Sequence, residues 1–257
     1  MHNWTPFPHD TYDYSGDKLQ AAWSRLHAGD QEPWPTDPTA QDAWRAYHTG
    51  EFAQAVELGL RAGNASGANA ANKAQSIYAT YLVDEDEAKV PLFEEVAERA
   101  EALIAANPDN INAHYQHAYA LGRYSQAISI AKALAQGVAG KVKHSLEKTL
   151  ELAPNHAEAH IAMGAYHAEI IDKIGGMVGS LTYGVSKDKA LEHYRRALEL
   201  LPDSAIARIE YANGLLMLFG NKKIKEATEQ YQQAAASQPL DAMETLDIEF
   251  AKSELED

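Results

Sequence analysis

The stretch LELAPNHAEAHIAMGAYHA, Leu150 to Ala168, decides the fold: one helical run ends at a proline turn and a second starts at once. Three other stretches align with it without a gap. They are IAANPDNINAHYQHAYALG (Ile104 to Gly122), LELLPDSAIARIEYANGLL (Leu198 to Leu216) and AASQPLDAMETLDIEFAKS (Ala235 to Ser253). Pro108, Pro154, Pro202 and Pro239 fall at one point of the alignment and mark a repeating unit. Self-similarity at this scale is the signature of stacked repeats, each burying its apolar face on its neighbours. The fold class that follows is all-α, a superhelical solenoid of helix-turn-helix repeats.

Upstream, the chain alternates in the same manner. Residues 1–15 hold aromatics and prolines without helical period and read as an extended arm. A leading helix follows, with Leu19, Ala22, Trp23 and Leu26 on one face and Gly29 expected to end it. Pro33, Pro35 and Pro38 break the chain. Ala22-Trp23, His27 and Gly29-Asp30 recur 21 residues later as Ala43-Trp44, His48 and Gly50-Glu51, either a short repeat or two unrelated helices that end alike. Helices are expected over 40–49, 51–62, 69–83 and 90–106, with a small-residue loop at 63–67 and Pro91 in a first helical turn. The division expected is an arm and leading helix over 1–35 and one continuous solenoid over 36–257, capped by a helix at 240–255.

Composition narrows the function classes. The 257 residues carry 37 acidic against 22 basic side chains, a formal net charge of -15. That field opposes nucleic acid and anionic membranes and favours basic or apolar partners. The absence of cysteine excludes disulfides, thiolate metal sites and cysteine nucleophiles. No run is long and apolar enough to span a membrane, and the start, MHNWTPFPHD, lacks the features of a signal peptide. A cytoplasmic location is expected, or a periplasmic one if an export signal has been removed.

Three groups invite a chemical reading. GGMVGSLTYG, with Gly175, Gly176, Gly179, Tyr183 and Gly184, has the glycines of an anion cradle but no P-loop lysine, so a mobile or close-packed turn is expected. His156 and His160 stand four apart, a spacing that suits a metal on a helix, yet no HExxH motif is present and satisfied, partly buried histidines are the plainer reading. His114, His117, His144, His167 and His193 complete this group. The acidic run Asp84–Glu87 lacks the glycine and ligand spacing of a calcium loop and reads as a solvated turn. No catalytic signature, metal or cofactor is expected from these residues.

GEFAQA (Gly50 to Ala55) and DKALEHYRRALELLPD (Asp188 to Asp203) resemble tetratricopeptide repeats. Ala190, Tyr194, Ala197 and Pro202 match that pattern, as do Ala227, Tyr231, Ala234 and Pro239, while Gly164 and Ala118 match its small first-helix residue. The prolines are 46, 48 and 37 residues apart, against about 34 for the family, so 123–140 and 169–186 are insertions, the first with an extra helix ended by Gly137 or Gly140. The last two-thirds also resemble the tetratricopeptide-like protein associated with TRAP transporters, although the lipobox cysteine of that family is absent. The resemblance implies a groove lined by the first helix of each unit. Its residues here would be Asn112, Tyr115, Tyr119, Gly122 and Arg123; Glu158, Ile161, Ala165, Ala168 and Glu169; and Ile206, Ile209, Asn213, Leu216 and Met217. The asparagine-plus-base clamp that related chaperone cofactors use on peptide carboxylates is not reproduced in that lining. The function expected is a non-catalytic scaffold for a protein or peptide. A carrier of an apolar small molecule, with 175–184 as the gate and Arg123 at the rim, is the alternative, and an enzyme using the histidines or the glycine-rich loop is a third reading. If inserted helices fill the groove, its lining is core instead.

Overall fold

A computed structural model describes residues 4–256, and among these there is no strand. In order the helices are α1 (Lys18–Leu26), α2 (Pro38–Thr49), α3 (Phe52–Ala62), α4 (Ala65–Tyr81), α5 (Asp86–Ala106), α6 (Ile111–Ala127), α7 (Ile130–Ala135), α8 (Val138–Leu152), α9 (Ala157–Ile174), α10 (Gly176–Tyr183), α11 (Lys187–Leu200), α12 (Ala205–Phe219), α13 (Ile224–Ala235) and α14 (Ala242–Glu256), with a 3₁₀ turn at Gly220–Lys223. They pack in antiparallel pairs: α2 with α3, α4 with α5, α6 with α8, α9 with α11 and α12 with α13. The extra segments α7 and α10 lie between the partners of two pairs, which is why those units are long. By contact the chain forms two compact units. Unit 1 comprises the residues up to His27, Gln31–Leu152 and Leu240–Met243; unit 2 comprises Ala28–Asp30, Ala153–Pro239 and the residues from Glu244 on.

The marker prolines work through two neighbours at fixed offsets. Two residues after Pro108, Pro154 and Pro202 stands a cap: Asn110 Oδ1 accepts from the Ala113 amide, His156 Nδ1 from Ala159 and Ser204 Oγ from Ala207. These satisfy donors that the first turn of a helix leaves without partners. Six residues after each of these three prolines stands a donor to the proline's own carbonyl: His114 at 2.8 Å, His160 at 3.0 Å and Arg208 at 2.7 Å. Each turn is thereby fastened at both ends.

In unit 1 the arm packs on the helices. Trp4 lies 4.1 Å from the Tyr78 ring, and Phe7 stands edge-on to Phe52 over Gly50. The 21-residue recurrence brings its equivalent residues face to face, Trp23 edge-on to Trp44 and His27 Nε2 3.1 Å from His48 Nε2. His48 Nδ1 is 2.7 Å from Asp241 Oδ2, and all three side chains are buried. With the His48 Nδ1 proton donated to that carboxylate, its Nε2 accepts the proton that His27 donates. Asp241 stands two residues after Pro239, at the offset used by Asn110, His156 and Ser204 in their repeats.

Several boundaries differ from the sequence expectation. His27, whose ring is buried, ends α1, and Gly29 is not its terminator. The expected 63–67 loop shortens to Gly63 and Asn64, because Asn64 caps α4 and Gly67 lies within it against the Gly59 backbone of α3. A Cβ on either glycine would run into the other's carbonyl oxygen. Asp86 and Glu87 begin α5, where negative charge favours the helix dipole, so Pro91 lies inside that helix rather than in its first turn. The extra helix is α7, and Gly137 ends it with a φ of 64°.

In unit 2 the tightest packing is a ring between two glycines. Tyr194 of α11 is buried, and a Cβ on Gly164 of α9 would come within 2.8 Å of its ring. A Cβ on Gly214 of α12 would come closer still. Gly214→Ala therefore sets a gain in helix propensity of about 1 kcal/mol against an overpacking cost of about 1–3 kcal/mol. The ring has no side to retreat to, so the variant is expected to have a lower Tm in thermal unfolding. A raised Tm would refute the interlock.

Candidate functional site

The first helices α4 and α6 of unit 1 carry a polar seat. Glu32, 5% exposed, arrives from the proline-rich segment between α1 and α2. Ser66 donates to its Oε1 at 3.0 Å, while Asn69 and Asn112 donate to Oε2 at 2.9 and 2.6 Å. The Trp44 indole donates to Ser66 Oγ at 3.0 Å, which orients that hydroxyl toward the carboxylate. Trp23 donates at 2.8 Å to the Glu32 carbonyl. Gln31, immediately before it, has a φ of 53°, alone in positive φ among the described non-glycine residues. The seat thus includes Asn112, a residue expected in the groove lining, but its occupant is the chain's own glutamate. Nothing periodic marks Glu32; among the other members only the helix-face spacing of Ser66 and Asn69 was a signal.

Further along α6, Tyr115 is buried and its ring lies 6.2 Å from that of Tyr119. Tyr119 is half-buried, and its hydroxyl pairs with Thr80 Oγ1 at 3.0 Å. The Arg123 guanidinium lies 5.3 Å above the Tyr119 ring and donates to Gln126. Unit 1 also has a surface cavity of about 540 Å³ between the arm and helices α2 and α3, lined by Tyr12, Tyr14, Arg45 and Arg61 among others. Its two guanidinium groups already face Asp42 and Glu57.

Unit 2 uses much of its expected lining as core. Ile161 is 6% exposed and packs with Ala197 and Ala207, and Ile209 is 1% exposed. Ala168 is fully buried. Ala165, Asn213 and Leu216 are half-buried, and Asn213 accepts a hydrogen bond from the Tyr231 hydroxyl. Glu169 pairs with Lys173 on its own helix at 3.3 Å. The expected glycine-rich turn is a helix, α10, with Gly175 and Gly184 at its ends in positive φ, 83° and 70°. Gly176 opens it, Gly179 is buried against Ile170 and Val185, and Tyr183 is half-buried. Met177 and Leu181 stand 80% and 84% exposed. Two glycines in positive φ bound this helix, so the four glycines serve its ends and one close approach rather than a loop.

The histidines are drawn into the frame. His156 caps α9 and His160 donates to the Pro154 carbonyl, so the two share no ligand-ready face. His160 Nδ1 is then an acceptor, and His193 Nδ1 donates to it across 2.9 Å. His114 does for Pro108 what His160 does for Pro154. His117 lies between Ser145 and Glu101. Among the described residues no three His, Asp or Glu side chains gather in a metal-holding group.

Residues 45–253 match the family described as regulator of microtubule dynamics protein 1-3. No curated relative matches the chain. Among solved structures, a thermophilic TPR protein of Thermus thermophilus is similar over 83% of this chain and 99% of its own, at 20% identity and a TM-score of 0.58. At that identity the likeness shows the fold alone, which is TPR-like and all-α.

The His160–His193 pair makes stability depend on pH. Burial, followed by the nearby charges of His160 and Lys189, pushes His193 down to about 4, and burial lowers His160 as well. The unfolded imidazole titrates near 6.5, so on acidification the unfolded chain binds the proton first. The stability concerned is complete above about pH 6.5 and is lost as pH falls from there through about 4. His193→Asn keeps a donor toward His160 but does not titrate. Its Tm should therefore fall less steeply than the native protein's between about pH 6.5 and about 4.5, and identical slopes would contradict the assignment.

Proposed function

The chain belongs to the regulator of microtubule dynamics protein 1-3 family, and from that membership we propose that it is a non-catalytic scaffold binding a protein or peptide partner through the faces of its first helices. The observation that carries this reading is the half-open face of α6, where Arg123 lies over the Tyr119 ring and the pair offers a flat apolar surface with a cation at its edge. Arginine and tyrosine are the residue types that most often dominate binding energy at protein interfaces. In unit 2 the first-helix positions not taken into the core include Ala165, Asn213, Leu216 and Met217.

What favours a protein over an enclosed apolar molecule is the packing of Ile161 and Ile209, which spends the most apolar lining residues on the core. What favours binding over catalysis is that the histidines serve as caps, carbonyl donors and mutual partners. The net charge of -15 directs the choice of partner toward apolar or basic segments and away from nucleic acid. The family's description attaches its members to the regulation of microtubule dynamics. The part of that role proposed here is the physical one, holding a protein partner.

The test is a screen of apolar and basic peptides against the full chain, with the best binder then titrated against Arg123→Ala and Tyr119→Ala. Each substitution should weaken binding about tenfold or more in a variant that remains folded by its helical signal. Unchanged affinity in both folded variants would remove this face from the account.

A further inference from the structure

We propose that Ser66, Asn69 and Asn112 form a carboxylate-binding seat, that Glu32 is its intrachain occupant, and that a peptide carboxylate takes its place when the Gln31–Pro35 segment withdraws. The inference deepens the scaffold reading and rests on it for the identity of the incoming ligand, but the seat itself stands on geometry.

The seat presents donors only to the carboxylate, all at 3.0 Å or less and all from side chains that are buried or half-buried. They come from two neighbouring first helices, α4 and α6, whereas the occupant comes from outside the helix pairs. Burying a carboxylate is costly unless it is well hydrogen-bonded, so a structure that merely tied down a loop would be served as well by an apolar side chain. Two further features separate the occupant from the seat. Gln31 holds a left-handed backbone conformation that an L side chain rarely adopts, and such strain is kept only where the surroundings impose it. Asn69 Oδ1 is buried without a hydrogen-bond partner, although the residue is only 4% exposed. Glu32 supplies no proton to that atom. A ligand carrying an N–H beside its carboxylate, as the C-terminal residue of a peptide does unless it is proline, satisfies the donors and this acceptor together.

The chain's overall negative charge does not exclude such a ligand. At physiological salt, exposed charges are screened beyond about 8 Å, so the donors in the seat decide the local contact while the wider field selects a peptide that is basic or apolar elsewhere.

Acetate is the probe, applied to the full chain carrying Glu32→Ala, which vacates the seat. Acetate should raise the Tm of this variant saturably, by about 2–4 °C over chloride of equal ionic strength, and should leave the native protein unaffected. Adding Asn112→Ala should abolish the response. If Glu32→Ala does not fold in chloride, refolding in acetate replaces the melting curve; recovery of helical signal in acetate alone supports the seat and failure in both salts overturns it. Equal shifts in acetate and chloride, or a response that survives Asn112→Ala, also overturn it. N-acetyl-alanine, whose N–H sits beside its carboxylate and can donate to Asn69 Oδ1, should outperform both acetate and N-acetyl-glutamate amide, whose N–H is set apart from its carboxylate by three carbons, and a response no larger than that to acetate would overturn the part given to Asn69 Oδ1. An acetate response in a chain whose peptide binding ignores Tyr119 and Arg123 would retain the seat and discard the scaffold reading.

Discussion

The geometry of unit 2 depends on one close approach: the Tyr194 ring occupies the volume that two Cβ atoms would fill, one on α9 and one on α12. Because α11 reaches both first helices through a single rigid ring, the spacing of α9, α11 and α12 is set together rather than pair by pair. Alanines at Ala190, Ala197, Ala207 and Ala212, all buried, keep the surrounding backbones near enough for that contact. Unit 1 uses a different solution at α3 and α4, where Gly59 and Gly67 bring backbone against backbone. In both, the absence of side-chain volume is the specific instruction, and a larger residue would force the helices apart.

Polar side chains do the complementary work at the turns. A helix end leaves carbonyls and amides without partners, and in this chain the positions two and six residues after Pro108, Pro154 and Pro202 supply them. Histidine at those positions acts through its ring nitrogens as asparagine, serine or arginine do in the sister repeats. The same economy explains why a chain rich in histidine offers no metal-holding group among its described residues. His160, whose Nε2 proton is given to the Pro154 carbonyl and whose Nδ1 accepts from His193, has no lone pair to spare.

Repeats were legible because periodicity survives in a linear chain: the prolines, the small residues and the second-helix tyrosines lie at fixed offsets. The all-α TPR-like architecture follows from them, as does the extra helix ended by Gly137. Contacts made by residues outside the period were not legible. Glu32 meets Asn112 across 80 positions and His48 meets Asp241 across 193, and no local pattern announces either. For Asp241 the offset from Pro239 was a usable hint, and for His27 and His48 the 21-residue recurrence was another. Of the expected groove, Tyr119 and Arg123 are placed where a partner could reach them, while Ile161 and Ile209 are not. A first-helix position lies on the groove or in the core according to what packs beside it, and in unit 2 Ile161 packs against Ala197 of α11 and Ala207 of α12. Glycine content was misleading at 175–184, since composition alone does not distinguish a loop from a short helix with a positive-φ glycine at each end.

One ring is held to keep three helices in register, and hydrogen exchange on native protein and Tyr194→Ala tests this most directly. Truncating the ring leaves a cavity that both first helices line, so amides of α9, α11 and α12 should lose protection together and by a similar factor. Loss of protection confined to α11, with α9 and α12 as protected as in the native chain, would contradict it.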